Sequence, residues 1–403
     1  MFQGGRWNRN RPSVYGLSVG FTWLSQRHEA VAESANDVSR TDRPGPDVAS
    51  EAFFGRKGGQ LFQLRFSMRI PGTQRSASTE ASIRTAMYQT AIDMVAWAEP
   101  RGNVAAILSE HHGSPDGYLP SPLILAAAMA ARTETTPIVV AALLGLLYDP
   151  IRLAEDLSVL DYVSSGRVLC VVGMGYRNDE YRLFGVDPST RAERMEDLLV
   201  TLNRAWTALP FDHPTRGRIQ VTPPPATVGG PPLAYGGHSK AAARRAARHG
   251  LLFLAETDGE DLRRAYEEEA QRAGVDPVGC NLPAHDTATT VFVADDLDAA
   301  WAELGPRMLH EIRLYRAWNN DAGKVGITSL SDADTIDELR DEVRGYRIYT
   351  PEQAGDLISS GHILSLEPLC GGLPPDRAWH YLRTAADVIT RSQPPREPDR
   401  TEA

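Results

Sequence analysis

The chain has 403 residues, 42% hydrophobic, 23% charged and 7% aromatic, a balance that suits a globular protein with a sizeable core. Lys and Arg total 42 against 52 Asp and Glu, and the net charge of −10 argues against nucleic acid or an anionic membrane surface as partner. Three scattered cysteines (Cys170, Cys280 and Cys370) make neither a disulfide framework nor a zinc ribbon and suit a reducing cytoplasm; no run of 18 apolar residues predicts a membrane span.

Residues 1–60 carry Arg6, Arg9, Arg11 and scattered Gly and Pro, without a sustained helical or strand period. They are expected to form a disordered or poorly ordered extension. Val14 to Leu24 imitates the apolar part of a signal peptide, but Gly, Ser and Thr interrupt it and no clean cleavage site follows. Residues 393–403 read as a polar C-terminal tail.

Between them, residues 61–392 alternate strand and helix. Leu61–Phe66 alternates large apolar and polar residues, as a strand does. Thr79–Glu99 repeats apolar residues at helical spacing, with Thr79 as N-cap. Strands follow at Asn103–Leu108, Pro137–Leu144 and Arg167–Val172, separated by helices at Pro122–Ala131 and Pro150–Tyr162. Pro100 interrupts the passage from the first helix into its strand. A helix at Arg191–Leu209 precedes a strand at Pro232–Tyr235, a helix at Ser239–His249, a strand at Leu251–Ala255 and a helix at Asp261–Ala273. The seventh strand is Thr287–Ala294 and the eighth Ile363–Leu366, with a closing helix over Pro375–Ile389.

Near-continuous apolar strands alternating with amphipathic helices imply a parallel sheet covered on its outside. Eight repeats predict an α/β fold, a (β/α)8 TIM barrel. Residues 67–76 lack the glycine-rich first turn of a doubly wound dinucleotide fold. Residues 295–362, between strands seven and eight, are too long for one crossover helix and predict an insertion over the barrel mouth. It contains a helix starting near Asp296, a second helix over Arg307–Trp318 and a charged stretch from Asp332 to Arg344.

Barrel chemistry sits at the C-terminal strand ends. Strand two ends in Ser109-Glu110-His111-His112, where alternation points one histidine into the mouth and the other toward the helices. The first can move a proton near neutral pH; either could also simply order the following loop. Strand three ends in Ala141-Ala142, room for a flat ring or plain packing filler. Strand four ends in Gly173-Met174-Gly175-Tyr176, which lets a ligand approach the backbone. Strand five runs through Gly236-Gly237-His238-Ser239 into a helix carrying Lys240, Arg244, Arg245 and Arg248. That junction reads equally as an anion site or as an ordinary Ser-capped helix. No His-x-His pair exists to support a metal-dependent hydrolase.

Ser109-Glu-His-His112, Tyr148 to Leu157, Ser165-Gly-Arg-Val168, Gly173-x-Gly-Tyr176 and Phe184-Gly-Val-Asp187 occur together in this order, and Pro368 to Pro375 closes the series. The set resembles the bacterial luciferase-like family of flavin- or deazaflavin-dependent oxidoreductases. The resemblance implies a barrel holding FMN, or the deazaflavin F420, across the strand ends. It implies His111 as catalytic histidine and Ala141-Ala142 under the ring, often joined by a cis peptide. Gly173, Met174, Gly175, Tyr176, Gly236, Gly237, His238 and Ser239 would line the cofactor, with the phosphate at His238 and Ser239.

Luciferases proper carry a cysteine where this chain has Gly173 and a phosphate-contacting arginine where it has Met174; Arg177 and Lys240 are the candidate replacements. The implied activity is oxidation of a small organic substrate by reduced FMN and O2, with a separate flavin reductase as a candidate source of reduced flavin. F420-dependent hydride transfer and flavin binding without turnover are the alternatives. A homodimer and a cytoplasmic location complete the expectation, and His310, Tyr315 and Trp318 of the insertion are candidates for substrate contact or for packing. Deleting residues 1–58 should leave cofactor binding intact, which a binding titration of the truncated chain would check.

Overall fold

A computed structural model of the protein describes residues 62–72, 76–284, 287–323 and 331–392. The expected N-terminal extension and C-terminal tail lie outside the described residues. The first half of the chain runs β1 (Phe62–Phe66), α1 (Ala77–Ala98), β2 (Asn103–Leu108), α2 (Pro122–Ala130), β3 (Ile138–Leu144), α3 (Pro150–Ser164) and β4 (Val168–Gly173). Helices α4 (Asn178–Leu183) and α5 (Arg191–Ala205) lead to a short hairpin, β5 (Phe211–His213) and β6 (Gly217–Ile219). The second half runs β7 (Leu233–Gly237), α6 (Lys240–Arg248), β8 (Leu252–Ala255), α7 (Glu260–Ala273), β9 (Cys280–Asn281) and β10 (Ala288–Val293). It ends with α8 (Leu297–Asp321), α9 (Ile336–Asp341), β11 (Gly345–Tyr349), α10 (Pro351–Ser359), β12 (Leu364–Leu366) and α11 (Pro375–Ser392).

Ten strands form one sheet in the order β11-β10-β12-β1-β2-β3-β4-β7-β8-β9, with parallel pairing throughout. Parallel neighbours need crossovers, and the helices between them supply these. The outer face packs on the helices in one large apolar cluster. The inner face carries a second cluster of Val104, Ala105, Ile107, Val139, Leu169, Val171, Ala234, Leu252 and Leu254, all on strands. No helix among the described residues covers that cluster, so the sheet buries it by curling upon itself, as a TIM barrel does. The eight strands read from the sequence are β1, β2, β3, β4, β7, β8, β10 and β12; β9 and β11 extend the two ends of the hydrogen-bonded order. No helix among the described residues is long and apolar enough to cross a membrane.

Several boundaries differ from the sequence reading, each for a local reason. The cap of α1 is Ser76, whose side chain accepts the Thr79 N–H, so Thr79 lies inside the helix. Helix α5 ends at Ala205 instead of Leu209, with Ala208 at a positive φ of 60°. The two helices expected after Asp296 are one helix, α8, capped by Asp296 and continuous through Pro306. A buried stripe of Trp301, Leu304, Met308, Leu309 and Ile312 runs past Pro306, and this packing carries the helix over the missing N–H. Strand β11 lies inside the insertion, where helices and a charged stretch but no strand were expected, and pairs with β10. The β5–β6 hairpin was also not read from the sequence.

Strand β1 alternates as expected, yet its polar residues face inward. Phe62, Leu64 and Phe66 belong to the outer cluster, whereas Gln63 Nε2 donates at 3.1 Å to Ser365 Oγ, its register partner on the neighbouring β12. Pro100 belongs to a short 3-10 turn, Glu99–Arg101. Glu99 there accepts the N–H groups of Glu134, Thr135 and Thr136, tying the start of β2 to the loop before β3.

Arg167, in the Ser165-Gly166-Arg167 turn, donates to Thr133 Oγ1 and to the carbonyls of Thr136, Ala130 and Thr133 at 2.7–3.0 Å. Arg167→Met leaves these buried acceptors unpaired and should lower unfolding free energy by ~2–4 kcal/mol. The check is a shifted urea midpoint with unchanged far-ultraviolet circular dichroism.

Candidate active site

Strands β3, β4 and β7 are almost wholly buried until their C-terminal ends, where Ala141, Ala142, Met174, Gly175, Tyr176, Gly236 and Gly237 become partly accessible. The Ala141–Ala142 peptide is cis. A Cβ on Gly173 would stand 3.2 Å from the Cβ of Ala142, and one on Gly236 would stand 3.2 Å from Val171 Cγ1. Larger residues at these two positions would crowd their neighbours, so the small ones keep a shallow floor whose shape suits a planar ring laid across the strand ends. Cys170 lies inside β4, fully buried, and takes no part in the floor.

His111 stands at the edge of the floor. Its Nδ1 is 2.8 Å from Glu180 Oε1 on α4. The same oxygen accepts the His112 N–H at 2.9 Å and Arg177 Nη1 at 2.9 Å, and Arg177 Nη1 also donates to His112 O. Glu110 and His112 form a separate network, as strand alternation predicted. Glu110 accepts the Leu144 N–H, the Tyr148 hydroxyl and His112 Nε2 at 2.7–2.9 Å, which locks the end of β2 to the end of β3.

Burial lowers the His111 pKa from its ordinary value of 6.5; the hydrogen bond and charge of Glu180 oppose this without cancelling it. Burial works against ionised Glu180 as well, but its bonds to His111 and His112 and the charge of Arg177 hold its carboxyl below the usual range. The imidazole is consequently neutral at pH 7. With Glu180 as acceptor, Nδ1 keeps the proton and Nε2 presents a lone pair, the arrangement of a general base. Its rim is aromatic: Tyr118, Tyr176, Tyr315 and Trp318 have ring centroids 4.9, 5.7, 6.0 and 4.9 Å from that of His111.

Two of these rings come from the insertion, whose helix α8 brings Tyr315 and Trp318 over the mouth. His310 of the same helix meets Asp116 at 3.1 Å instead. Behind the rings lies Arg69, just past β1 and fully buried, which no motif in the sequence singled out. Its Nε is 3.1 Å from Asp116 Oδ2. Burial opposes the Arg69 charge, but the surrounding phenols, Glu311 and Asp116 outweigh this and raise its pKa. The signal that could have found it was a lone arginine among the apolar residues that follow a barrel strand.

At the far end of the floor, Ser239 caps α6 and its hydroxyl accepts the Ala242 N–H. His238 Nδ1 lies 3.5 Å from Glu256 Oε2. Three of the four basic side chains expected to draw a phosphate here are engaged elsewhere. Lys240 pairs with Asp261 at 3.0 Å, Arg245 with Glu196 at 2.8 Å, and Arg248 with both Glu196 and Glu269. Arg177, the other candidate replacement for a phosphate-binding arginine, is buried on Glu180 and stacked 4.0 Å from the Trp318 centroid. What remains for an anionic group is the amide end of α6 with His238 and Ser239.

A parallel barrel with a small-residue floor and a buried histidine at its mouth is the setting in which flat redox cofactors are held. The model of the luciferase-like monooxygenase family matches residues 64–352, and the chain belongs to that family. The alkanal monooxygenase alpha chain of Photorhabdus luminescens is 27% identical over 178 residues, 42% of this chain and 49% of that protein. The chain spans about half the length of the curated relatives it matches. Among solved structures, the monooxygenase RslO1 from Streptomyces bottropensis superposes with a TM-score of 0.63 at 20% identity, covering 82% of this chain and 99% of that one. The oxygenating constituent of 3,6-diketocamphane monooxygenase of Pseudomonas putida, in complex with FMN, gives 0.60 at 19%, covering 83% and 99%.

The His111 pKa should fall further in Glu180→Gln, because the group that raises it is removed; a proton NMR titration of the imidazole measures this. The lowered pKa also has a stability sign. The folded state binds fewer protons than the unfolded one between the depressed value and 6.5, so stability is lost as pH falls through that window.

Proposed function

We propose that the protein is a flavin-dependent monooxygenase that takes reduced FMN and O2 and oxidises a small organic substrate. The observation that carries this reading is the small-residue floor of Ala141, Ala142, Gly173 and Gly236 directly beside a buried, neutral His111. The alkanal and diketocamphane monooxygenases among its relatives and structural neighbours support it. Reduced FMN, when bound, supplies the two electrons with which one oxygen atom enters the substrate and the other leaves as water. A separate flavin reductase would deliver that reduced flavin.

The chain's own residues do the rest. Ala141, Ala142, Gly173, Met174, Gly175, Tyr176, Gly236 and Gly237 bear the ring, and His238, Ser239 and the free amides of α6 receive the phosphate. Glu180 keeps His111 in the tautomer that offers Nε2, and His111 takes a proton at that atom and returns it. Tyr118, Tyr315 and Trp318 close the mouth against water, which strengthens each polar contact inside.

Absorption and mass of the chromophore retained by, or reloaded into, the purified protein should identify FMN; F420 bound in its place would overturn the cofactor assignment. His111→Ala should lower substrate-dependent turnover by about 10²- to 10⁴-fold, the range for a lost acid–base group, with FMN affinity changed less than about threefold. Unchanged turnover would remove His111 from the reaction. In the wild type, kcat/KM should be level at neutral pH and fall on the acid side, below the ordinary histidine value, as His111 protonates. A second variant, Gly236→Val, should raise the FMN dissociation constant at least about tenfold by filling the floor.

A further inference from the structure

Arg69 is fully buried, yet its three guanidinium nitrogens have no hydrogen-bond acceptor among the described residues. The contact with Asp116, 3.1 Å from Nε to Oδ2, is an ion pair without hydrogen-bond geometry. The guanidinium carbon lies 4.7, 4.6 and 5.2 Å from the ring centroids of Tyr118, Tyr315 and Trp318, the aromatic groups that also rim His111. Rings satisfy the charge through their faces but accept no strong hydrogen bond. An arginine cannot shed its proton to escape, so five N–H donors remain to be satisfied in a water-poor setting.

The other buried arginines, Arg167, Arg177 and Arg245, behave differently, and Arg245 is paired with Glu196. Arg167 spends its guanidinium on four acceptors, and Arg177 spends its own on Glu180 and a carbonyl. Buried donors without partners are rare in folded proteins, and each calls for an acceptor that the chain itself does not supply.

The surrounding charges decide what kind of atom that is. Asp116 already serves Arg69 and His310. Glu367, which accepts the hydroxyls of Ser67 and Thr290, lies close by, and Glu311 accepts the Gly371 N–H. Burial and the neighbouring Glu367 push the Glu311 carboxyl up to about 8. The cluster therefore holds back one negative charge already, and an anionic ligand would add another beside Asp116 and Glu367. A groove of about 510 Å³ lined by Ile70, Pro71, Arg307, His310, Arg313 and Gly371 opens beside this cluster; His310 links it to Asp116, while Arg307 donates to Gly371 O and Arg313 to Asp334 O.

We infer that Arg69 is a specificity-determining residue that donates to an uncharged oxygen of the substrate, of the ketone, ester or amide kind, and holds its apolar remainder against Tyr118, Tyr315 and Trp318 beside His111. The inference deepens the monooxygenase reading and rests on it for the identity of the ligand as substrate, but its test needs binding alone.

Acetophenone, ethylbenzene and benzoate have nearly one shape and differ in carrying a neutral acceptor, none, or a charge. Calorimetric titration of the full chain, with and without FMN, should show acetophenone binding at least about tenfold more tightly than ethylbenzene, the worth of a hydrogen bond from a charged donor. Benzoate should bind more weakly than acetophenone. Arg69→Met should equalise acetophenone and ethylbenzene, and Arg69→Lys should restore part of the preference. Arg69→Met/Asp116→Asn removes both charges together and guards against a fold defect, since the ratio of two ligands on one protein is its own control.

Equal binding of the first two to the wild type, an unchanged ratio in Arg69→Met, tightest binding of benzoate, or no binding of any of the three would each overturn the inference. Failure to bind FMN would instead overturn the flavin reading, while the ligand ratio stayed measurable on the same protein.

Discussion

One carboxylate oxygen organises the mouth of this barrel. Glu180 Oε1 receives His111 Nδ1, the His112 N–H and Arg177 Nη1, all at 2.8–2.9 Å, and so joins the end of β2 to the segment that follows β4. Three donors on one buried oxygen compensate for taking the charge out of water, which neither the acid nor the arginine could do alone. The consequence for chemistry is directional. The imidazole cannot rotate without losing its partner, so Nε2 always faces the same space, and burial keeps that nitrogen unprotonated. Glu110 performs the corresponding task one residue earlier, binding β2 to β3 and holding the alanine pair at a fixed height beside the histidine.

The insertion between β10 and β12 turns this open strand end into an enclosed site. Helix α8 carries Tyr315 and Trp318 onto His111, His310 onto Asp116, and Glu311 into the buried cluster with Arg69 and Glu367. Arg69, Asp116, His310, Glu311 and Glu367 thus meet in a small volume where unpaired charge is costly. Most of them are satisfied within the chain, and the donors of Arg69 are the exception. A barrel floor common to many reactions becomes selective through such additions, since the strand ends are shared while the insertion shapes the space above them.

Much of this was legible in the sequence. The eight barrel strands emerged from apolar runs alternating with helical periodicity, because burial on both faces leaves no polar alternation to obscure them. The Glu110-His111-His112 spacing separated the two histidines correctly, because a strand alternates its side chains without regard to what surrounds it. The reading failed where long-range packing overrode local preference. Two helices were expected where the buried stripe of α8 carries one helix through Pro306, and β11 follows the charged stretch and pairs with β10, whose residues lie more than fifty positions away. The basic face of α6 suggested free positive charge beside a phosphate, but Glu196 lies on α5 and nothing in the local sequence announces that it would claim Arg245 and Arg248.

What the sequence by itself determined is the order of strands and helices, the small residues of the floor and the histidine beside it. These follow from periodicity, size and strand geometry, which are properties of neighbouring residues. Only the tertiary structure decided which charges are spent and which are left. Lys240, Arg177, Arg245 and Arg248 are all engaged, while Arg69, inconspicuous in the chain, lies buried with its donors unmatched. Hydrogen bonds and ion pairs are formed between groups distant in sequence and only a few ångströms apart in space, so their pairing is decided when the barrel closes and α8 settles over its mouth.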